Sequence, residues 1–228
     1  MLGIKNMRNA IDKTILPLSY CLALFYWFHS ENPDIFAISA KTASTALLAL
    51  HSYKTAAPHL ANQAGITMGL HCAGDFLIEL PGNTVLYALV AFFFGHSSYF
   101  SLLQKNSLSL AEVAQSKKLM LGAFGIYAGG FTQLLISTTS GIMQYAIPFY
   151  SLALSSMFVI ACLQKENTLR ISAGASAYVV SDMLIATNLF LTKIPCSSRT
   201  TWPLYFLAQN FLRCAYQKKS TSTPVFTN

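Results

Sequence analysis

Residues 83–103 read NTVLYALVAFFFGHSSYFSLL, a stretch without one Asp, Glu, Lys or Arg. An α-helix needs ~20 such residues to cross the hydrocarbon core of a bilayer. Moving outward from this stretch, the same pattern recurs along the chain. The apolar runs are 15–28, 35–53, 64–80, 83–103, 118–138, 143–163, 171–191 and 200–216. Composition agrees, with 54% hydrophobic residues, 10% charged residues and a mean hydropathy of +0.46. Soluble domains carry about 25% charged residues, so this chain lacks the charge to cover a water-exposed surface. It is also too apolar to be disordered. An outer-membrane barrel would alternate polar and apolar residues in ~10-residue segments, whereas these runs are continuous. The sequence therefore predicts an all-α polytopic membrane protein, a bundle of eight transmembrane helices. Residues 1–228 form a single transmembrane domain, with no room for a soluble one.

The loop charges orient the bundle. With the N-terminus inside, the inner segments hold Lys5, Arg8, Lys13, Lys54, Lys105, Lys117, Lys118, Lys165, Arg170, Arg213, Lys218 and Lys219. The outer segments hold only Lys193 and Arg199, and Lys41 lies within the second span. Cytoplasmic loops carry the excess of Lys and Arg, so both termini are expected in the cytoplasm. The membrane would be the inner (cytoplasmic) one in a bacterial host. Basic loops facing an anionic leaflet account for the net charge of +7. The expected partners are membrane lipids, and no nucleic acid. His29-Ser30-Glu31 after the first span is a poor cleavage site, so that span reads as an uncleaved anchor. Cys21, Cys72, Cys162, Cys196 and Cys214 form no C-x-x-C and read as packing residues.

Ionisable groups cost about 2.5–3.5 kcal/mol each at the centre of a membrane helix, so they mark function by default. Three lie well inside spans: Lys41, Asp75 and Asp182. The two aspartates sit about twelve residues into spans of the same direction, hence at similar depth. Gly74-Asp75-Phe76-Leu77-Ile78 parallels Ser181-Asp182-Met183-Leu184-Ile185, a faint parallel repeat of four plus four helices. His71 lies one turn before Asp75, His96 and Tyr99 share a face, and Tyr127, Tyr150, Tyr205 and Gln209 fall mid-span. Singly, such residues more often bond across helices than catalyse, and His71 is assigned that structural role. Gly65-x-x-x-Gly69 and Gly125-x-x-x-Gly129 read as helix-packing motifs. Gly95-His96-Ser97-Ser98-Tyr99 lacks the closing Gly of a nucleophile elbow, and there is no zinc helix or phosphate loop. Asp75, Asp182 and His96 lack the fixed spacing of a ligand set, so neither a metal nor a cofactor is expected. From the residues alone the aspartates form one joint site. Three readings stay open for it: a purely structural role, proton-coupled transport, and intramembrane aspartyl proteolysis. The last is disfavoured because Cys72-Ala73-Gly74-Asp75 departs from G-x-G-D.

Several segments recur in a known order. They are Lys41 in the second span, Gly74-Asp75, F-x-x-x-H-x-x-Y at Phe92, His96 and Tyr99, then Tyr150 and Met157. Gly174-Ala175 leads to Ser181-Asp182, and Tyr205-Phe206-Leu207-Ala208-Gln209 follows. From Lys41 to Gln209 the chain resembles the YhhN family of lysoplasmalogenases. It departs from the family at Thr42, where Pro is usual, and at Tyr178, where Phe is usual.

The resemblance implies an eight-helix enzyme that hydrolyses the vinyl ether bond of a lysoplasmalogen, a lysophospholipid. The products are a fatty aldehyde and glycerophosphoethanolamine or glycerophosphocholine. A vinyl ether is cleaved by protonation at carbon, addition of water and collapse of the hemiacetal. This needs a donor still protonated near neutral pH, a state that hydrocarbon burial favours in a carboxylic acid. An ionised partner stabilises the cation and activates water. Asp75 and Asp182 are the expected catalytic pair. Lys41 is placed to meet the phosphate. His96, Tyr99, Tyr150, Ser181, Tyr205 and Gln209 are the expected supporting groups.

Overall fold

The computed structural model describes the backbone of residues 2–217 and the side chains of residues 14–217. The side chains of Lys5, Arg8, Lys13, Lys218 and Lys219, counted above among the inner cations, lie outside the described residues. Eight long helices follow one another: α1 (Leu2–His29), α2 (Ile35–Thr55), α3 (Ala61–Glu79), α4 (Val85–Gln104), α5 (Gln115–Thr138), α6 (Met143–Cys162), α7 (Thr168–Phe190) and α8 (Ser197–Leu212). No strand occurs among the described residues. Continuous apolar segments take this form because a helix satisfies every backbone N–H and C=O within the segment itself. Asp34 caps α2, its carboxylate accepting the amide of Ala37 at 2.8 Å.

Each apolar run from the sequence overlaps one helix. Four helices, α4 to α7, are long and apolar enough by themselves to cross a membrane. Three more, α2, α3 and α8, fall short for a physical reason. α2 and α3 carry Lys41, Ser44, Thr45, His51, Ser52, Thr67, His71 and Asp75, all turned into the interior. Their polar groups lower the hydropathy without facing the outside. α8 is shorter, at 16 residues, and continues as a 3-10 turn over Arg213–Ala215.

Seven helices close a ring in the order α1, α2, α3, α4, α6, α7, α8 and back to α1, while α5 lies outside it against α6 and the edge of α7. α1 and α8 run antiparallel, since Tyr20 donates to Asn210 and Trp27 donates to the Arg199 carbonyl. The α4–α5 and α6–α7 connections pair through Leu108 N to Leu163 O at 2.7 Å and Lys165 N to Asn106 O at 3.0 Å. At the same end the α2–α3 connection meets the chain after α8, through Ala57 N to Tyr216 O at 3.0 Å. α5 buries only Leu121 and Leu135. Its place outside the ring, where α1 lies within it, leaves the two halves of the chain non-equivalent.

The close helix approaches are not at the glycine pairs read from the sequence. A Cβ at Gly69, Gly125 or Gly129 would meet nothing within 4 Å, and only Gly65 has a neighbour, Tyr53 Cβ at 3.2 Å. The tight crossings are at Gly74, Gly95 and Gly174. There an added Cβ would lie 2.6 Å from the Phe92 ring, 2.6 Å from His71 and 2.7 Å from Phe211 Cβ. The four-residue spacing of glycines marks a possible approach, but only the rotation of each helix decides which glycine faces a neighbour.

Candidate active site

The crossings at Gly74 and Gly95 bring α3 and α4 together behind a cavity of about 260 Å³ that is lined by residues of all eight helices, α5 included. Asp75 and Asp182 both line it. Asp75 is 2% exposed and accepts a hydrogen bond from the Tyr205 hydroxyl of α8 at 2.8 Å. Asp182, on α7, accepts from the Tyr150 hydroxyl of α6. Each carboxyl is thus aimed by a phenol from another helix. His96 Nε2 lies 3.2 Å from the Tyr150 oxygen and 3.7 Å from Asp182 Oδ2. A phenol has one hydrogen. With that hydrogen on Asp182, the Tyr150 oxygen accepts from Nε2–H of His96. His96 Nδ1 then has no hydrogen and, among the described residues, no partner.

Toward the end of the ring where α1 and α3 finish and α2 and α8 begin lies a second polar layer. Lys41 Nζ donates to Glu79 Oε1 at 2.6 Å, and Tyr26 donates to the same oxygen at 2.5 Å. The Lys41 ammonium also lies 5.1 Å from the Tyr26 ring centroid and 5.4 Å from that of Trp202. Lys41, expected from the sequence to meet the lipid phosphate, is paired in the structure with a carboxylate. Glu79 follows Asp75 by four residues on α3, which places it one turn, or ~6 Å, nearer that end. Trp202 precedes Tyr205 by the same logic on α8, with the two rings stacked at 5.7 Å. The remaining wall is mixed: Phe92, Phe124, Phe131, Leu135 and Leu154 form an apolar stretch, and Ser151, Ser155, Asn188, Ser197, Ser198 and Thr201 also line the cavity.

Of the residues picked from the sequence, Lys41, Asp75, Tyr127, Tyr150, Asp182 and Tyr205 line the cavity, and His96 touches two of its groups from behind. Tyr99, Gln209 and Ser181 do not line it. Tyr99 donates to Gln209 Oε1 at 2.6 Å, and Gln209 Nε2 donates to the Tyr178 hydroxyl at 3.4 Å. Ser181 donates to the Thr201 carbonyl at 3.0 Å, tying α7 to α8. These three brace the site. Tyr178 links them to it, its ring packing 4.7 Å from His96 and 5.2 Å from Tyr205. His71 is fully buried; its Nδ1 lies 2.8 Å from the Thr67 carbonyl. α2 runs unbroken through Thr42, whose hydroxyl donates to the Ile38 carbonyl.

Sequence reasoning missed Glu79, Tyr26 and Trp202. Glu79 had a legible signal, because it is at i+4 from Asp75 and a lysine buried in hydrocarbon demands a counter-charge. The aromatic pair had none, since it forms from the two ends of the chain. Among the described residues no three His, Cys, Asp or Glu side chains gather as a metal site.

Such an arrangement can pass a proton to, and take one from, a substrate held in the cavity. The sequence model of the YhhN family matches residues 36–214, most of the chain. No curated protein and no solved structure matches it.

Proposed function

The chain belongs to the YhhN family, the lysoplasmalogenase family, and on that premise we propose that it hydrolyses the vinyl ether bond of lysoplasmalogens inside the membrane. The observation that carries this reading is the pair of carboxyls, Asp75 and Asp182, opening on one cavity with a phenol donor on each.

The reaction runs as follows. One carboxyl delivers its proton to the vinyl carbon remote from the ether oxygen, leaving an oxocarbenium ion. The other, ionised, faces the cation and takes a proton from the water that adds to it. The hemiacetal collapses, the glycerol oxygen recovers a proton, and a fatty aldehyde leaves. Proton transfer by positioned groups contributes ~10²–10⁴-fold each, and a water-poor wall strengthens the charge stabilisation. The phenol donors hold each carboxyl oxygen in place. The alkenyl chain lies along Phe124, Phe131 and Leu154, and the phosphate meets Lys41. All eight helices cross the bilayer, with both termini and the Lys/Arg-rich loops in the cytoplasm and the Lys41–Glu79 layer toward the opposite face.

Turnover of three lipids tests the reaction. The 1-alkenyl lysolipid should release aldehyde. The saturated 1-alkyl analogue should bind competitively and not react, and the 1-acyl analogue should survive. In heavy water the aldehyde should carry one deuterium beside the carbonyl. Fatty acid release from the acyl lipid at a comparable rate, or aldehyde without deuterium, would refute the proposal.

A further inference from the structure

We propose that Glu79 is the headgroup-reading residue of this site: it takes the ammonium of the lipid headgroup when the lipid phosphate draws Lys41 away. The inference rests on the hydrolytic reading above and names the part of the cavity that distinguishes one lysolipid from another.

The structure already contains an ammonium site, because the Lys41 ammonium occupies it. That group has Glu79 Oε1 at 2.6 Å and the faces of Tyr26 and Trp202 at 5.1 and 5.4 Å. A carboxylate with two aromatic faces is what an organic cation requires. Lys41 and Glu79 are largely buried, at 9% and 17% side-chain exposure, so the pair enters the cavity with no net charge. A zwitterionic headgroup matches it by exchange, phosphate to Lys41 and ammonium to Glu79, and the layer stays neutral. An anionic headgroup leaves an uncompensated charge in this largely buried layer, which is costly.

The spacing fits. Glu79 lies one turn, ~6 Å, from Asp75 along α3. In a lysolipid, three glycerol carbons separate the ether oxygen from the phosphate ester oxygen, roughly 5 Å when extended at ~1.5 Å per bond. With the vinyl ether at the aspartates, the phosphate therefore falls in the Lys41–Glu79 layer. The geometry also separates two headgroups. A primary ammonium donates hydrogen bonds to Glu79, whereas a trimethylammonium has no N–H and must rely on charge and the aromatic faces.

The experiment measures kcat/KM on 1-alkenyl lysolipids bearing ethanolamine, choline or a bare phosphate, for the wild type, E79Q, E79D and W202F. In parallel it measures the affinities of the matching saturated 1-alkyl lipids. The wild type should prefer either zwitterion to the bare phosphate by at least tenfold. E79Q should lose at least fivefold more on ethanolamine than on choline, W202F should show the reverse order, and E79D should retain the wild-type order. Equal losses on all headgroups in E79Q would show that Glu79 only holds Lys41. A wild type indifferent to headgroup would overturn the proposal without recourse to any variant. If no alkenyl lipid turned over, hydrolysis would be refuted. The alkyl-lipid affinities would still decide the role of Glu79: graded affinities support it and flat ones overturn it.

Discussion

Replacing Tyr150 with Phe removes one oxygen from a site where that oxygen has two partners. The Tyr150 hydroxyl donates to Asp182 and lies 3.2 Å from His96 Nε2. Phe keeps the ring, which packs 5.5 Å from that of His96, so the change is mainly the loss of a hydrogen-bond bridge. A hydrogen bond to a charged group is worth about 1.5–3 kcal/mol. At ~1.4 kcal/mol per factor of ten, Y150F should lower kcat/KM by roughly 10–150-fold. His96 stands 3.7 Å from Asp182 Oδ2, close enough to move in and donate directly, which favours the lower part of that range. The assay is release of fatty aldehyde from a 1-alkenyl lysolipid by purified protein in detergent, followed by coupled aldehyde oxidation. Retention of activity within twofold of wild type would refute the claim that Tyr150 sets the position of Asp182.

D75N and D182N should each retain less than roughly a tenth of wild-type turnover while remaining monodisperse, which corresponds to only ~1.4 kcal/mol of barrier; size-exclusion chromatography alongside the aldehyde assay checks both parts. Single cysteines placed at Asn106, in the connection before α5, and at Ser140, in the connection after it, in a background lacking the native cysteines should label from opposite sides of the membrane, with Asn106 cytoplasmic. Labelling from one side would remove a crossing from the bundle. G95A should destabilise the protein by about 1–3 kcal/mol through overpacking, because the new methyl meets His71 at 2.6 Å, whereas G125A faces open space. Thermal unfolding in one detergent compares them, and equal melting temperatures would contradict the assigned crossing.

The helical character of the chain was settled locally. A run such as 83–103 leaves its backbone one way to satisfy itself in hydrocarbon, so helix positions follow from composition and length, with ends shifted by a few residues except at α1, which begins at Leu2, well before its apolar run 15–28. Asp75, Asp182 and Lys41 stood out for a similar reason: charge in an apolar run is costly wherever the run ends up. Tertiary structure decided what depends on the rotation of each helix about its axis and on which helices meet. Gly74 and Gly95 face neighbours while Gly125 and Gly129 do not, although all sit in apolar helices. Ser181, Tyr99 and Gln209 turn into the packing behind the cavity, while Tyr150 and Tyr205 reach the carboxyls. The Lys41 layer draws Tyr26 and Trp202 from opposite ends of the chain through the closure of α8 on α1. No local spacing encodes that closure, since it results from burying many side chains at once across the ring.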